Sequence, residues 1–299
     1  MLAKLFGFIL RLGKKYKLHN TWIGLKITPF YHKIQRITTN QVIVNPNDKT
    51  ILSIAQQNDF LAQNIERVNI VANMLADEKS QKTYLSMVKF RQTCQKKDFP
   101  ISYYEKVEYF IKELKLDNDE VFIDCGAYTG DTIDEFLKHC PEYKQIVAFE
   151  PASKIFKKLK EKYENNPKII LKNAGAYDKN GVVDFIDANA GETGTIIAGG
   201  GEYEDLTSIQ VNAIDNLNLE KVTFIKMDIE GAELNALKGA EKTILRDKPK
   251  LAICIYHSNE DMVCIAEYIH NLVPEYKLYV RQHSLYPSAV GTVLYAIMP

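Results

Sequence analysis

The chain is 299 residues long, 46% hydrophobic and 25% charged, with a formal net charge of zero. This balance belongs to a folded chain of one large domain or two modest ones, and it excludes a largely disordered protein or, with 15 glycines and 10 prolines, a collagen-like repeat. No apolar run approaches the roughly 18–20 residues needed to span a bilayer, which argues against an integral membrane protein.

The charge is unevenly distributed. Lys4, Arg11, Lys14, Lys15, Lys17, Lys26, Lys33 and Arg36 all precede the first acidic residue, Asp48, so the remainder of the chain is net acidic. Within residues 1–18, Leu2, Leu5, Phe6, Ile9, Leu12 and Tyr16 recur at helical spacing with basic residues around them. Two readings fit this pattern: a helix lying on an anionic membrane surface, or a terminal helix docked on the rest of the protein with its lysines solvated. The apolar stretch Leu5–Leu12 is short, is broken by Arg11 and is followed by no small-residue cleavage site, which argues against a secretory leader. The expected location is the cytoplasm, with the inner membrane surface as a peripheral site. Five widely spaced cysteines without a Cys-x-x-Cys suggest neither a zinc site nor a disulfide framework and fit a reducing compartment.

From about Ile51 to Leu116 the periodicity is helical: Ile65, Val68, Val71, Ala72 and Leu75, then Tyr84, Leu85 and Val88. Asp98-Phe99-Pro100 interrupts it, a further amphipathic helix is expected over Tyr104, Val107, Phe110, Ile111 and Leu114, and Asp117-Asn118-Asp119 is a turn. Strands then alternate with helices. Strands are expected at Val121–Cys125, Ile146–Phe149, Lys168–Leu171, Thr223–Met227, Leu251–Ile255, Tyr276–Val280 and Thr292–Ile297. Helices are expected at Asp131–His139, Ser153–Tyr163, Ala232–Leu245 and Asp261–Leu272. Val182–Asp187 and Thr207–Val211 form an antiparallel excursion around the glycine-rich segment Gly191–Gly201, either a mobile loop near a ligand or a plain surface loop. The pattern divides the chain into a basic, mainly helical region, residues 1–118, and an α/β region, residues 119–299, with a sheet covered by helices on both faces.

The first strand runs into Asp124-Cys125-Gly126-Ala127-Tyr128-Thr129-Gly130-Asp131, a small-residue loop that opens a helix, where a doubly wound sheet binds a nucleotide. Glu150, twenty residues past Gly130 and ending the second strand, stands where an acid accepts hydrogen bonds from ribose hydroxyls. The loop lacks Gly-x-Gly-x-x-Gly and Gly-Lys-Ser/Thr, and Asp124 and Asp131 bracket it. A carboxylate ~4 Å from a phosphate charge costs about 4 kcal/mol at an effective dielectric near 20, whereas it attracts an ammonium or sulfonium. S-adenosylmethionine satisfies both requirements. A tight strand–helix turn with no ligand is the plain alternative for the loop alone.

The blocks Phe122–Asp131, Ala148-Phe149-Glu150-Pro151, Phe224–Glu233, Leu237-Lys238-Gly239-Ala240, Ile255-Tyr256-His257 and the closing Thr292–Ala296 together resemble the FkbM family of class I S-adenosylmethionine-dependent methyltransferases. The resemblance implies a Rossmann-like doubly wound sheet of seven strands, the last antiparallel, and transfer of a methyl group, usually to a hydroxyl oxygen. By the same resemblance Asp124, Gly126 and Gly130 would hold the methionine portion, and Ala127, Tyr128 and Asp131 of the same loop are expected to bind the cofactor. Glu150 would hold the ribose, and Asn173 and Ala174 would lie near the adenine. Cys125 is expected to be a packing residue.

Removal of the acceptor's proton points to groups ending the fourth and fifth strands: Asp228, Glu230 and His257. Glu230 could instead complement a helix N-terminus, and His257 could be merely hydrogen-bonded; His283 is a weaker candidate. Together Asp228, Glu230 and His257 could hold Mg²⁺, but the spacing does not compel it and the expectation is no metal. The expected acceptor is a small molecule or glycan hydroxyl, with no nucleic acid, because the α/β half is net acidic. A non-catalytic binding module and a nucleic-acid methyltransferase are the alternatives.

Overall fold

The computed structural model describes residues 58–93, 95–186, 195–196, 206–285 and 287–299. The amphipathic stretch of residues 1–18 and most of Gly191–Gly201 lie outside the described residues. Among the described residues no helix is long and apolar enough to cross a membrane.

Three helices come first: α1 (Asn58–Gln63), α2 (Ile65–Met74) and α3 (Glu78–Thr93). The alternating part follows as β1 (Val121–Cys125), α4 (Asp131–His139), β2 (Gln145–Phe149), α5 (Ser153–Tyr163) and β3 (Ile169–Lys172). Next come β4 (Gly175–Ala176), β5 (Gly181–Ile186), β6 (Thr195–Ile196), β7 (Leu206–Asn212) and β8 (Phe224–Met227). The chain continues through α6 (Glu233–Lys238), α7 (Glu241–Asp247), β9 (Lys250–Cys254), α8 (Asp261–Leu272), β10 (Lys277–Gln282) and β11 (Thr292–Ile297).

Seven strands form one sheet in the order β10-β11-β9-β8-β1-β2-β3. β11 is antiparallel to both of its neighbours, and the other pairings are parallel. The expected antiparallel excursion pairs β5 with β7, extended by β4 and β6 into a four-stranded sheet. Alternation along the strands splits the core by face. Ile123, Val147, Ile225, Ile253 and Leu294 face α1–α3 and α6–α8. Phe122, Ile146, Phe224, Cys254 and Val293 face α4, α5 and the segment around Phe110. Phe122 stacks on Phe136 and Phe224 at centroid distances of 4.7 and 4.8 Å.

Two expectations are corrected. The helix expected over Tyr104–Leu114 is absent. Tyr104 instead bridges to Gln282, the Glu105 N–H donates to the Gln282 carbonyl at 2.9 Å, and Tyr109 has a left-handed φ of 64°. Its apolar residues recur at helical spacing because they reach down into the aromatic cluster from an extended chain with short turns. The single helix expected over Ala232–Leu245 is two, α6 and α7. Gly239 packs so closely on the Tyr177 backbone that a Cβ there would stand 2.0 Å from that carbonyl oxygen, and the Asp215 carboxylate caps the second helix through the Lys242 and Thr243 N–H groups.

The helical region is fastened to the sheet by buried apolar contacts and by three arginines. Leu61, Val68, Val71, Tyr84 and Met87 are fully buried in the core that holds β9–β11. Arg67 of α2 pairs with Glu267 of α8 at 2.6 Å, and Arg281 of β10 pairs with Asp77 at 2.7 Å and Glu113 at 2.9 Å. Arg91 of α3, 1% exposed, donates to the carbonyls of Tyr256 (2.5 Å), Ser258 (3.0 Å) and Ala289 (3.2 Å) and to Asn259 Oδ1 (3.0 Å).

Candidate functional site

The strand order reverses between β1 and β8, so the connections leaving these two neighbours diverge and open a crevice beyond their carboxyl ends. All the candidate residues lie along this edge of the sheet. Gly126, at φ 83°, closes the gap between the two strand ends: a Cβ there would stand 2.0 Å from the Asp228 carbonyl oxygen. The glycine is therefore required by the neighbouring strand.

On the β1–β3 side the site is built largely from backbone. The Gly126 and Ala127 N–H groups donate to the Phe149 carbonyl at 3.0 and 2.9 Å, and the Gly130 carbonyl accepts the Tyr163 hydroxyl at 3.1 Å. Glu150, 6% exposed, accepts the Tyr128 N–H at 3.0 Å and the Ala152 N–H at 2.8 Å. Burial outweighs these two bonds and pushes its carboxyl up to about 7. Asn173 Nδ2 donates to the Glu150 and Pro151 carbonyls at 2.9 and 3.1 Å, pinning the loop after β2, while Ala174 is buried and Asp131 is exposed in the first turn of α4.

Asp124 is placed differently from the others. It is fully buried below the loop, and the β1–β8 register sets it beside Lys226, whose Nζ is 3.1 Å away. Lys226 also donates to the Gly126 carbonyl at 2.8 Å and lies 5.1 Å from the Tyr109 ring centroid. Burial opposes its charge, but Asp124 and Asp228 keep it a cation. The Asp124 charge that the sequence reading directed at a ligand is thus neutralised from within the core. Cys125 is fully buried, and burial pushes its thiol up, as suits a packing residue.

On the β8–β9 side, side chains predominate. Asp228 Oδ2 accepts the Tyr109 hydroxyl and Oδ1 the Tyr256 hydroxyl, each at 2.8 Å. Burial works against its ionisation, but Lys226, His257 and the two hydroxyls hold it below the usual carboxylate range. The His257 ring lies among three acids: Nδ1 is 3.0 Å from Glu233, and Nε2 is 3.4 Å from Asp228 and 3.6 Å from Glu230. Burial alone would lower its pKa, but Glu233, then Asp228 and Glu230, raise it to about 9. Asp228, Glu233 and His257 each bring one donor atom within 4.8 Å of the others, spacing that could hold a metal ion.

Glu230 does not open the helix. It occupies a left-handed turn at φ 57°, and the helix begins at Glu233, whose carboxylate accepts the Ile229 and Gly231 N–H groups at 2.8 and 3.0 Å. His283 is structural: burial lowers it to about 4, its Nδ1 lies 2.9 Å from the Glu105 carbonyl and its Nε2 2.8 Å from the Tyr295 hydroxyl, which itself accepts the Tyr109 N–H at 3.0 Å. Sequence reasoning missed Tyr109, Lys226, Glu233 and Tyr256. A lysine in the middle of the apolar strand Phe224–Met227 was the signal that an acid must face it.

The model of the methyltransferase FkbM domain matches residues 124–283. Among solved structures, methyltransferase FkbM from Methylobacillus flagellatus KT is 28% identical with a TM-score of 0.64, the match covering 80% of this chain and 60% of that one. The chain therefore spans 60% of the length of that relative. An rRNA methylase from Streptococcus thermophilus is 16% identical with a TM-score of 0.38, over 62% of this chain and 90% of that one. Aeropyrum pernix fibrillarin, with natively bound S-adenosyl-L-methionine, is 12% identical with a TM-score of 0.37, over 62% and 68%. No curated protein matches the chain.

Proposed function

Because the chain belongs to the FkbM methyltransferase family, we propose that it transfers a methyl group from S-adenosylmethionine to a hydroxyl oxygen of a sugar, glycan or small metabolite. The observation that carries this reading is the division of acids along the crevice. Glu150 follows β2 with, among the described residues, two backbone donors on a buried carboxylate, a state that the hydroxyls of a ribose would relieve. Across the strand reversal, Asp228 and Glu230 make the β8 side negative, which suits a sulfonium and repels a phosphate. The cofactor, when bound, supplies an electrophilic methyl group on positively charged sulfur. The chain's own residues then hold the acceptor in line and remove its proton. Asp228 remains ionised and held by two tyrosines, and His257 remains charged at neutral pH, so both orient and stabilise rather than take that proton.

Calorimetry tests the first half of this reading: S-adenosylmethionine and S-adenosylhomocysteine are expected to bind, and NADH and ATP are not. Retention of NADH or ATP, with no binding of the sulfur compounds, would overturn it. A screen of glycan and metabolite extracts with methyl-labelled cofactor then finds the acceptor, and label appearing only on nitrogen or carbon would reject the hydroxyl.

A further inference from the structure

The ring of His257 is buried without the bonds that burial calls for. Its side chain is 5% exposed, and neither Nδ1 nor Nε2 makes a hydrogen bond among the described residues. Three carboxylates surround it instead: Glu233 at 3.0 Å from Nδ1, Asp228 at 3.4 Å and Glu230 at 3.6 Å from Nε2. One oxygen each of Asp228 and Glu233 and one nitrogen of His257 lie within 4.8 Å of one another. Metal bonds of about 2.0–2.2 Å set neighbouring donors roughly 3–3.5 Å apart, so small side-chain movements close this group around an ion. The donors are also held from behind. The Asp228 carboxylate accepts the Tyr109 and Tyr256 hydroxyls, and the Glu233 carboxylate accepts the Ile229 and Gly231 N–H groups. Arg91 binds the carbonyls of Tyr256 and Ser258 on either side of the histidine. Glu233 and His257 form a buried floor, and Asp228 and Glu230, 25% and 26% exposed, form an open rim through which an ion can enter.

We propose that Asp228, Glu233 and His257 bind one divalent transition-metal ion, with Glu230 as a further donor on the rim. The donor set selects the ion: an imidazole among carboxylates suits Zn²⁺ or Mn²⁺, whereas Ca²⁺ and Mg²⁺ favour shells of oxygen alone. Charge points the same way. Three carboxylates carry more negative charge than one imidazolium cancels, and Lys226 is already paired with Asp124. A divalent ion on a neutral ring cancels one charge more; without the ion, the ring keeps the proton described above. Spacing along the chain set Asp228, Glu230 and His257 near one another but did not include Glu233, the acid that completes the set. Three or four protein donors leave positions for water or for an oxygen of the acceptor. That last role rests on the methyl-transfer reading above; occupation of the site does not.

Manganese tests the site in the full chain, with neither acceptor nor cofactor. After treatment with a chelator and its removal, Mn²⁺ is titrated in and the free-ion signal is followed by electron paramagnetic resonance. The expected result is one ion bound per chain, with electron spin echo modulation from a directly bonded imidazole nitrogen. That modulation is expected to vanish in His257→Gln, and Glu233→Gln and Asp228→Asn are each expected to weaken binding at least roughly tenfold. An equal concentration of Zn²⁺ is expected to displace the Mn²⁺, and Mg²⁺ is not. The nitrogen modulation is read in the unaltered protein, so it decides the matter even where a variant fails to fold. Absence of bound Mn²⁺, absence of nitrogen modulation, or modulation that survives His257→Gln would overturn the assignment. Calorimetry with S-adenosylmethionine on the metal-free protein keeps the two readings apart: failure to bind there would overturn methyl transfer and not the ion site.

Discussion

The two sides of the crevice are built from different material. From β1 to β3 the crevice edge is held mostly by peptide groups: N–H groups, carbonyls and one carboxylate held by N–H groups, all within short consecutive blocks. From β8 to β9 it is a network of side chains drawn from three separate stretches, with Tyr109, then Lys226, Asp228 and Glu233, then His257 meeting there. Backbone presents the same groups whatever the residue, so it suits a ligand that does not vary. Side chains can be exchanged one at a time, so they suit the part of the site that must meet a particular acceptor.

The comparison can be broken most sharply at the one place where the sides share a charge. Asp124→Ala leaves the Lys226 ammonium buried without its nearest carboxylate, and the expected loss is about 3–5 kcal/mol in urea unfolding, with cofactor affinity lost as a consequence of unfolding. A variant that kept native stability and lost only affinity would restore Asp124 to direct ligand contact. A second, smaller effect should belong to the β8–β9 side alone. His257 has a folded pKa raised to about 9, above the ordinary value near 6.5. Its contribution is fully present below about 6.5 and is lost as pH rises through 9. It should amount to a few kcal/mol, seen as a fall in melting temperature over that range that His257→Gln removes. The smallest effect sharpens the contrast. Tyr109→Phe and Tyr256→Phe each delete a hydrogen bond to a charged Asp228 and should each cost about 1.5–3 kcal/mol. The double variant should fall short of the sum or exceed it, because both hydroxyls share one carboxylate; strict additivity would show that they do not act through it.

What was legible in the sequence follows the same division. The strands and helices from Val121 to Ile297 showed in their periodicity because each buries one face or both. Gly126, Glu150 and Asp228 stood out because each directly follows an apolar strand that runs through a short loop into a helix. The segment over Tyr104 to Leu114 misled because apolar residues three and four apart can also be hooked into an aromatic cluster by an irregular chain. Nothing in that segment records that Gln282 and Tyr295 lie nearly two hundred residues away, waiting for its N–H groups. The division at residue 118 marks a change in composition, whereas burial runs across it: Leu61, Val68 and Met87 share a core with the strands.

Arg91 gives that continuity a thermodynamic meaning. Its guanidinium holds carbonyls on both sides of His257, so the loop cannot open without stranding a buried cation on the sixteen-residue helix α3. Helix and loop thereby become a single cooperative unit, and the imidazole acquires a rigidity that its own short loop could never generate.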